Sequence, residues 1–316
     1  MSLSRAGIAI TIILLASTLI AHANSASADK QSPARTSPFN EKWLDTVVSI
    51  EQLQPDHSLD GAIVRNQDGT IKLIPKPIGT GFIVKTRSNH LVLITAKHVV
   101  VDLTLDEVGN SKVNTKNRLR YRLNQVEGPA YLIKDEELIS KELGPWFMAT
   151  KNDVAVRFLE WKETARFSVI SQADFIPKAD LQVGANLLVL GFPLGLRSPE
   201  HPNPIARRGM VARSDRDRLI ADALIFPGNS GGPVVYTPPL KVGSGMTSPF
   251  VNEERLAGLA ISYETHKEIA ESTQTKKPRV LFEENSGLAS IEPADAILEL
   301  LEHPDVQSFE ANIINK

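Results

Sequence analysis

Ser230 lies in a glycine-rich stretch, residues 227–233, that reads Pro-Gly-Asn-Ser-Gly-Gly-Pro and opens onto the apolar residues 234–236. A serine hydroxyl attacks a carbonyl well only when a base takes its proton, and the resulting oxyanion needs hydrogen-bond donors already in place. Because Gly228 and Gly231 lack a Cβ, the backbone can turn the N–H groups of Gly228 and Ser230 towards one point. The stretch therefore predicts either a nucleophile turn with an oxyanion hole or a glycine-rich β-turn with an incidental serine.

Two other residues have the chemistry that an activated serine requires. His98 follows a predicted apolar strand over residues 91–95, and Asp153 stands at the entry of a predicted strand over residues 154–159. A histidine can accept the serine proton, and a carboxylate can orient that histidine and stabilise its charged form. An aspartate at a strand entry is otherwise often a cap or turn residue. The chain order His98, Asp153, Ser230 matches one known arrangement of such groups and not the Ser-acid-His or Asp-His-Ser orders.

The remaining histidines give no sign of a metal site. They lie in the N-terminal region or in polar stretches, and their spacing is not that of metal ligands. We therefore predict that neither a metal nor a cofactor takes part. These histidines are His22, His57, His90, His201, His266 and His303.

The elements that would position these residues are mainly strands. Short β-branched and apolar runs separated by polar turns occur in both halves of the chain. The pattern predicts a mostly β protein with one strand-rich half over residues 42–160 and a second over residues 181–292. A helix is predicted over residues 293–302, with an apolar stripe, and a tail over residues 306–316.

Two long polar segments interrupt the strands. Residues 101–149 contain only weak strand signals, around residues 118–126 and 130–134, and residues 265–285 read as a breaker-rich loop. We assign no chemistry to either segment.

Composition narrows the classes of function. The 316-residue chain is 42% hydrophobic and 23% charged, which is typical of a globular protein with one large or two medium domains. Its formal charge of -2 argues against a nucleic-acid partner. The absence of cysteine excludes disulfides, thiol catalysis and thiolate metal sites. Hydrolysis by a serine remains compatible with all of these constraints.

The N-terminus predicts export. Arg5 precedes an uncharged apolar run, residues 6–21, and small residues follow that run at once. The run is shorter than the roughly 20 residues of a spanning helix, so we expect a cleaved signal peptide rather than a retained membrane anchor. We predict a signal peptide over residues 1–23, with cleavage after residue 28 as the alternative, and a flexible leader over residues 24–41. The mature protein would be periplasmic or extracellular.

The three local sequences resemble those of the chymotrypsin-like (trypsin-like) serine peptidase superfamily. Residues 95–99 (TAKHV) are similar to its histidine turn, residues 152–155 (NDVA) to its aspartate strand and residues 228–233 (GNSGGP) to its nucleophile turn. The motif style is most similar to that of bacterial HtrA/Deg-type peptidases. The further stretches that carry this likeness are residues 79–82, 190–195, 209–211, 221–225 and 287–289.

The resemblance implies a fold and a set of roles. The fold would be two six-stranded antiparallel β-barrels with a C-terminal helix, forming one protease domain over residues 42–305. Ser230 would be the nucleophile, His98 the general base and then the general acid, and Asp153 the residue that fixes the imidazole tautomer. The backbone N–H groups of Gly228 and Ser230 would form the oxyanion hole.

Two departures from related enzymes limit what the resemblance implies. The residues after Ser230 are accounted for by the last strands and the helix, so we expect no PDZ domain of the kind that many HtrA proteins carry. The position before the serine is Asn229, where trypsin-type zymogens have an aspartate that pairs with a newly freed N-terminus. We therefore expect activity that does not depend on such a cut.

The resemblance also places a primary substrate pocket. Its floor would come from Leu224 and Ile225, and its walls from strands around residues 259–264 and 286–289. These positions are mainly apolar, so we expect cleavage after small or medium apolar residues rather than after Arg or Lys. The predicted substrate-binding residues are Leu224, Ile225, Ile261, Ser262, Tyr263, Gly287 and Leu288.

The expected function is that of an exported serine endopeptidase that acts on protein or peptide substrates through an acyl-enzyme. One alternative is a catalytically silent peptide-binding relative, and another is an esterase on the same fold. The sequence contains no indication of the oligomeric state.

Overall fold

A computed structural model describes residues 39–105, 111–125, 131–134, 144–159, 165–197, 203–238 and 254–314. The predicted signal peptide over residues 1–23 and most of the predicted leader lie outside the described residues. Trp43 is fully buried, and it lies in a 3-10 helix, Glu41–Thr46, that the Asn40 side chain caps.

Among its described residues, the N-terminal half contains ten strands. They are β1 (Val47–Pro55), β2 (Leu73–Lys85), β3 (Leu91–Thr95), β4 (Val101–Leu105), β5 (Ser111–Thr115), β6 (Leu119–Leu123), β7 (Tyr131–Lys134), β8 (Phe147–Met148), β9 (Ala155–Leu159) and β10 (Ile170–Ser171). Eight of them form one sheet in the order β7-β6-β1-β2-β3-β9-β8, with β10 added to β2, while β4 and β5 form a separate ribbon. A one-turn helix, α1 (Lys97–Val100), follows β3.

The C-terminal half forms a closed antiparallel barrel of six strands. They are β11 (Asn186–Gly191), β12 (Ile205–Ser214), β13 (Leu219–Asp222), β14 (Pro233–Tyr236), β15 (Arg255–Glu271) and β16 (Pro278–Pro293). Their order around the barrel is β11-β12-β13-β16-β15-β14. The mostly β architecture of two strand-rich halves is confirmed. The N-terminal sheet differs from the expected six strands because the two-residue strands β8 and β10, too short to show periodicity in the sequence, also join it.

Two apolar clusters form the core. One underlies the N-terminal sheet around Trp43 and also takes in Phe192 and Leu259 from the C-terminal half. The other fills the barrel around Val189 and Val234. Each large apolar side chain stabilises the fold by about 1.5–3 kcal/mol when buried. Because the first cluster draws side chains from both halves, it fixes their relative positions.

The prediction of a loop over residues 265–285 is wrong. β15 and β16 continue beyond the barrel as a two-stranded hairpin, in which only residues 272–277 form the turn. Lys267 lies opposite Glu283, and the Lys267 Nζ is 2.7 Å from the Glu283 Oε1. Cross-strand pairs of this kind stabilise a ladder whose polar faces hide the apolar alternation that sequence reading relies on.

The C-terminal end is helical where a tail was expected. The predicted helix over residues 293–302 is present as α2 (Ala294–Leu301), and a second helix, α3 (Pro304–Ile314), occupies most of the predicted tail. Within α3, Val306 is buried in the core and Phe309 packs against it. A short helix with a weak apolar stripe becomes stable through such tertiary packing, which is why its sequence signal was weak.

Candidate active site

Strand pairing brings His98 and Asp153 together. β3 and β9 are antiparallel, and Thr95 pairs with Ala155. In an antiparallel ladder, moving two residues forward on one strand and two back on the other keeps the chains opposite. Lys97 and Asp153 are therefore neighbours, and the Lys97 N–H donates to the Asp153 carbonyl at 3.3 Å. His98, the next residue in α1, lies beside Asp153 for the same reason.

The Asp153 carboxylate makes two hydrogen bonds to His98. Its Oδ2 lies 2.6 Å from the His98 Nδ1, and its Oδ1 accepts the His98 backbone N–H at 3.0 Å. The buried Val99 and Val100 anchor α1 in the core, while the His98 side chain stays 48% exposed. The histidine ring is therefore held at one nitrogen and open to a substrate at its other side.

The Asp153 carboxyl is held in its ionised form. Its burial alone would raise its pKa, but the hydrogen bonds from His98 and the electrostatic attraction to His98 and Lys97 outweigh this effect and leave the pKa of Asp153 below its ordinary value. When the His98 ring is neutral, a carboxylate that accepts the Nδ1 proton leaves the other ring nitrogen, Nε2, as an acceptor. That is the tautomer a general base requires.

The serine turn is fastened to the N-terminal sheet by Thr80 of β2. The Thr80 N–H donates to the Ser230 carbonyl at 2.8 Å, and the Thr80 hydroxyl donates to the Gly228 carbonyl at 2.6 Å. Gly231 has a φ of +82°, and a Cβ there would lie 2.2 Å from the Thr80 carbonyl oxygen. Only glycine fits this position without strain. The turn therefore lies against the strands that carry the His98 helix.

The Ser230 hydroxyl donates to the Ile261 carbonyl at 3.1 Å. A hydroxyl has one proton to donate, so the Ser230 proton is directed at Ile261 rather than at His98 in this state. Rotation of the serine side chain about its Cα–Cβ bond would release this hydrogen bond. In related sites, the hydrogen bond between the serine hydroxyl and the histidine is often long or poorly aligned before substrate binds.

The turn contains the two backbone N–H groups that were predicted to form an oxyanion hole. The Pro227 carbonyl accepts the Leu194 N–H at 2.7 Å, and the Asn229 carbonyl accepts the Gly232 N–H at 2.8 Å. Because a trans peptide is planar, the N–H groups of the following residues, Gly228 and Ser230, point away from these bonded carbonyls. Within the described part of the chain, neither N–H has a hydrogen-bond acceptor.

The Asn229 side chain is turned into the protein. It is fully buried, and its side-chain oxygen accepts the Phe226 N–H at 3.0 Å. A Cβ on Gly191 would come within 2.9 Å of the Asn229 amide nitrogen, so the missing side chain makes room for it. The asparagine thus closes the serine turn with local contacts.

The predicted substrate-binding residues fall into two groups. Ile225 and Ile261 are buried in the core, so they offer only backbone atoms to a peptide. Leu224 and Leu288 are 42% and 39% exposed and present apolar side chains on the surface. The remaining residues, Ser262, Tyr263 and Gly287, are exposed or half-buried on β15 and β16.

Sequence reading missed two residues that contact the site. Thr80 belongs to the stretch 79–82 that carried the family likeness, but no role was assigned to it. Glu292 is 4% exposed, and its Oε1 accepts the Asp153 N–H at 3.1 Å. Its one signal in the sequence is a carboxylate between the mainly apolar residues 287–291 and Pro293.

Two features are absent from the residues that the structure describes. No cluster of three or more His, Asp or Glu side chains is arranged to hold a metal ion. No helix in these ranges has the length and apolar character needed to cross a membrane.

A comparison with models of known protein families gives a match. The family model of the trypsin-like peptidase domain matches residues 79–237, which is half of the chain. The chain belongs to the trypsin-like peptidase family. The matched residues of this trypsin-like domain include His98, Asp153 and Ser230.

No curated protein matches the chain. Among solved structures, the trypsin-like domain is similar to one described as "HtrA-type protease AlgW with decapeptide", with a TM-score of 0.45 and 14% sequence identity. The match covers 82% of this chain, which spans 65% of the length of that structure.

Proposed function

We propose that this trypsin-like protein is a serine endopeptidase in which Ser230, His98 and Asp153 form the catalytic triad. The observation that carries the proposal is the two-point hydrogen bonding of Asp153 to His98, at 2.6 Å and 3.0 Å, beside a serine in a glycine turn. A carboxylate that bonds both the ring and the backbone of one histidine holds that ring in a single orientation.

In the proposed reaction, the His98 Nε2 takes the hydroxyl proton as the Ser230 Oγ bonds to the carbonyl carbon of the peptide. The N–H groups of Gly228 and Ser230 donate hydrogen bonds to the carbonyl oxygen and stabilise the negative charge that develops on it. The C–N bond then breaks, and His98 returns the proton to the leaving amine, which leaves an acyl-enzyme. A water molecule, deprotonated by His98, then attacks the ester carbonyl carbon. The bond from this carbon to the Ser230 Oγ breaks, His98 returns the proton to that oxygen, and the carboxylic acid product leaves.

We propose a preference for small or medium apolar residues on the amino side of the cleaved bond. The exposed Leu224 and Leu288 support this because they offer apolar side chains at two of the positions where the family resemblance places the pocket. Asp222 lies opposite Leu288 in the strand ladder and is the acidic side chain nearest to them along these strands. It would have to face the pocket for basic residues to be preferred.

One digestion tests both the activity and the preference. The purified protein is first treated with a fluorophosphonate, and peptide mass spectrometry should find the adduct on Ser230. The untreated protein should cleave casein, and its products should end mainly in Ala, Val, Leu or similar residues. No adduct on Ser230 and no cleavage would overturn the peptidase proposal, whereas products ending mainly in Arg or Lys would overturn the preference alone.

One observation favours the peptide-binding alternative, namely the hydrogen bond from Ser230 to the Ile261 carbonyl. A serine held there permanently would bind peptides in the groove without reacting. Binding of casein peptides without labelling or cleavage would be the outcome that supports it.

The proposed enzyme acts outside the cytoplasm. The apolar run over residues 6–21 and the small residues after it support export. The mass of the chain recovered from the periplasm or the medium should correspond to cleavage after residue 23 or 28, and an uncleaved chain would contradict it.

A further inference from the structure

The Glu292 side chain contacts Asp153 from the opposite half of the protein. It lies near the end of β16 in the C-terminal barrel, while Asp153 lies in the turn before β9 of the N-terminal sheet. Gly258 of β15 allows the two barrel strands to approach closely here, because a Cβ at that residue would be 2.0 Å from the Glu292 carbonyl oxygen. The backbone that carries the Glu292 side chain is therefore closely packed.

The contact is a hydrogen bond to the main chain of Asp153. The Glu292 Oε1 accepts the Asp153 N–H at 3.1 Å, while the Asp153 carbonyl accepts the Lys97 N–H. The peptide groups on both sides of the Asp153 Cα are thus fixed, one by the C-terminal barrel and one by α1. A carboxylate acceptor makes a stronger hydrogen bond to an N–H than a neutral oxygen does.

The charge of Glu292 is costly to keep in this place. Burial raises the pKa of Glu292 above its ordinary value, and the Asp153 carboxylate adds to the rise, although the Asp153 N–H, Arg218 and Lys97 act in the opposite direction. A raised pKa in the folded state means that stability present at acidic pH is lost as the pH rises through that value. A neutral side chain of similar size would avoid this cost at neutral pH.

We propose that Glu292 is a positioning residue for the His98–Asp153 pair. Its hydrogen bond holds the Asp153 turn of the N-terminal sheet against the barrel that carries Ser230, and its negative charge favours the protonated His98 that forms during the reaction. The inference rests on the proposed peptidase function and adds a residue to that site.

Two substitutions separate the hydrogen bond from the charge. Glu292→Gln keeps an oxygen acceptor and removes the charge, whereas Glu292→Leu removes both at similar volume. Glu310→Gln is the matched control, since Glu310 is a 3% exposed carboxylate in α3, bonded to His90 and Thr86, that does not contact the site. Rates are normalised to the fraction of protein that a fluorophosphonate labels.

The leucine variant should lose about 10- to 100-fold in kcat with KM changed by less than about twofold, because a misplaced pair slows the chemistry without weakening substrate binding. The glutamine variant should regain most of that kcat. The acid limb of its kcat/KM profile should move to lower pH, by about half a unit, because a negative charge near the base is gone. The Tm of the glutamine variant at pH 7.5 should equal or exceed that of the wild type, and the Glu310 control should leave kcat and the pH profile unchanged.

Amide hydrogen exchange tests the contact independently of activity. The Asp153 amide should exchange faster in the leucine variant than in the wild type or the glutamine variant. Unchanged exchange, an unchanged kcat in folded Glu292→Leu, or equal losses in both variants would each overturn the inference. A wild type that neither labels at Ser230 nor cleaves peptides would instead remove the proposed function, and the exchange measurement would still decide the contact.

Discussion

Replacing Ser230 with alanine is expected to lower kcat for peptide substrates by about 10⁶-fold, to a residual rate that the remaining site still provides. The substitution removes the only protein atom in the proposed mechanism that bonds to the substrate carbonyl carbon. The Ile261 carbonyl would lose one hydrogen bond, which costs about 1 kcal/mol of stability and leaves the fold intact. Initial rates on a chromogenic peptide, with thermal unfolding measured in parallel, check the prediction.

Ser58→Ala is a suitable control for the alanine substitution at Ser230. Ser58 is an exposed serine that bonds only within its own loop, to Asp60 and the Ala62 carbonyl. This variant should retain wild-type kcat and fluorophosphonate labelling. If purified Ser230→Ala kept even about 1% of wild-type turnover, with contaminating proteases excluded, another residue would have to be the nucleophile.

Replacing Asp153 with asparagine is expected to lower kcat near neutral pH by about 10⁴-fold. The asparagine side chain has one oxygen, and the His98 backbone N–H can only donate, so that oxygen must face the backbone. The amide NH₂ then faces the His98 Nδ1 and donates to it, which places the ring proton on Nε2. A histidine in that tautomer cannot accept the serine proton.

The same substitution has a pH-dependent effect on stability. In the folded protein, the pKa of Asp153 is lower than its ordinary value of 3.8. The ionised carboxylate therefore stabilises the fold at pH values above 3.8, and this stability is lost as the pH falls through the lowered pKa. The Tm difference between wild type and Asp153→Asn should therefore be largest near pH 7 and shrink below about pH 4.

Asp68→Asn controls for a general loss of acidic charge. Asp68 lies in an exposed loop and accepts hydrogen bonds from Thr70, so this variant should keep wild-type kcat. An Asp153→Asn enzyme with more than about a tenth of wild-type kcat would contradict the assigned role of Asp153.

Several elements were predictable because their signals are local. The apolar run before His98 and the alternating run after Asp153 became β3 and β9, and the glycine turn at Ser230 opens onto β14 as expected. The hairpin over residues 265–285 and helix α3 were missed, because both depend on pairing or packing with residues distant in the chain. Their own sequences are polar enough to read as loop and tail.

Some residues of the candidate site were predictable from the sequence, and others were not. The residue types and the order of His98, Asp153 and Ser230 were readable because the chemistry of each is a property of its side chain. Thr80 and Glu292 were not assigned, because a threonine in a strand and a carboxylate at a strand end have many ordinary uses. Only the distances to the Gly228 carbonyl and to the Asp153 N–H distinguish them.

By itself, the sequence determined a mostly β chain with a serine, a histidine and an aspartate in the order of the trypsin-like family. The tertiary structure decided which of their atoms meet, namely both Asp153 oxygens with His98 and the Ser230 hydroxyl with the Ile261 carbonyl. The physical reason is the separation in sequence over which each interaction acts. Turn and strand preferences act between near neighbours in the chain. The contact between Glu292 and Asp153 instead joins residues 139 positions apart, which only the packing of the two halves brings together.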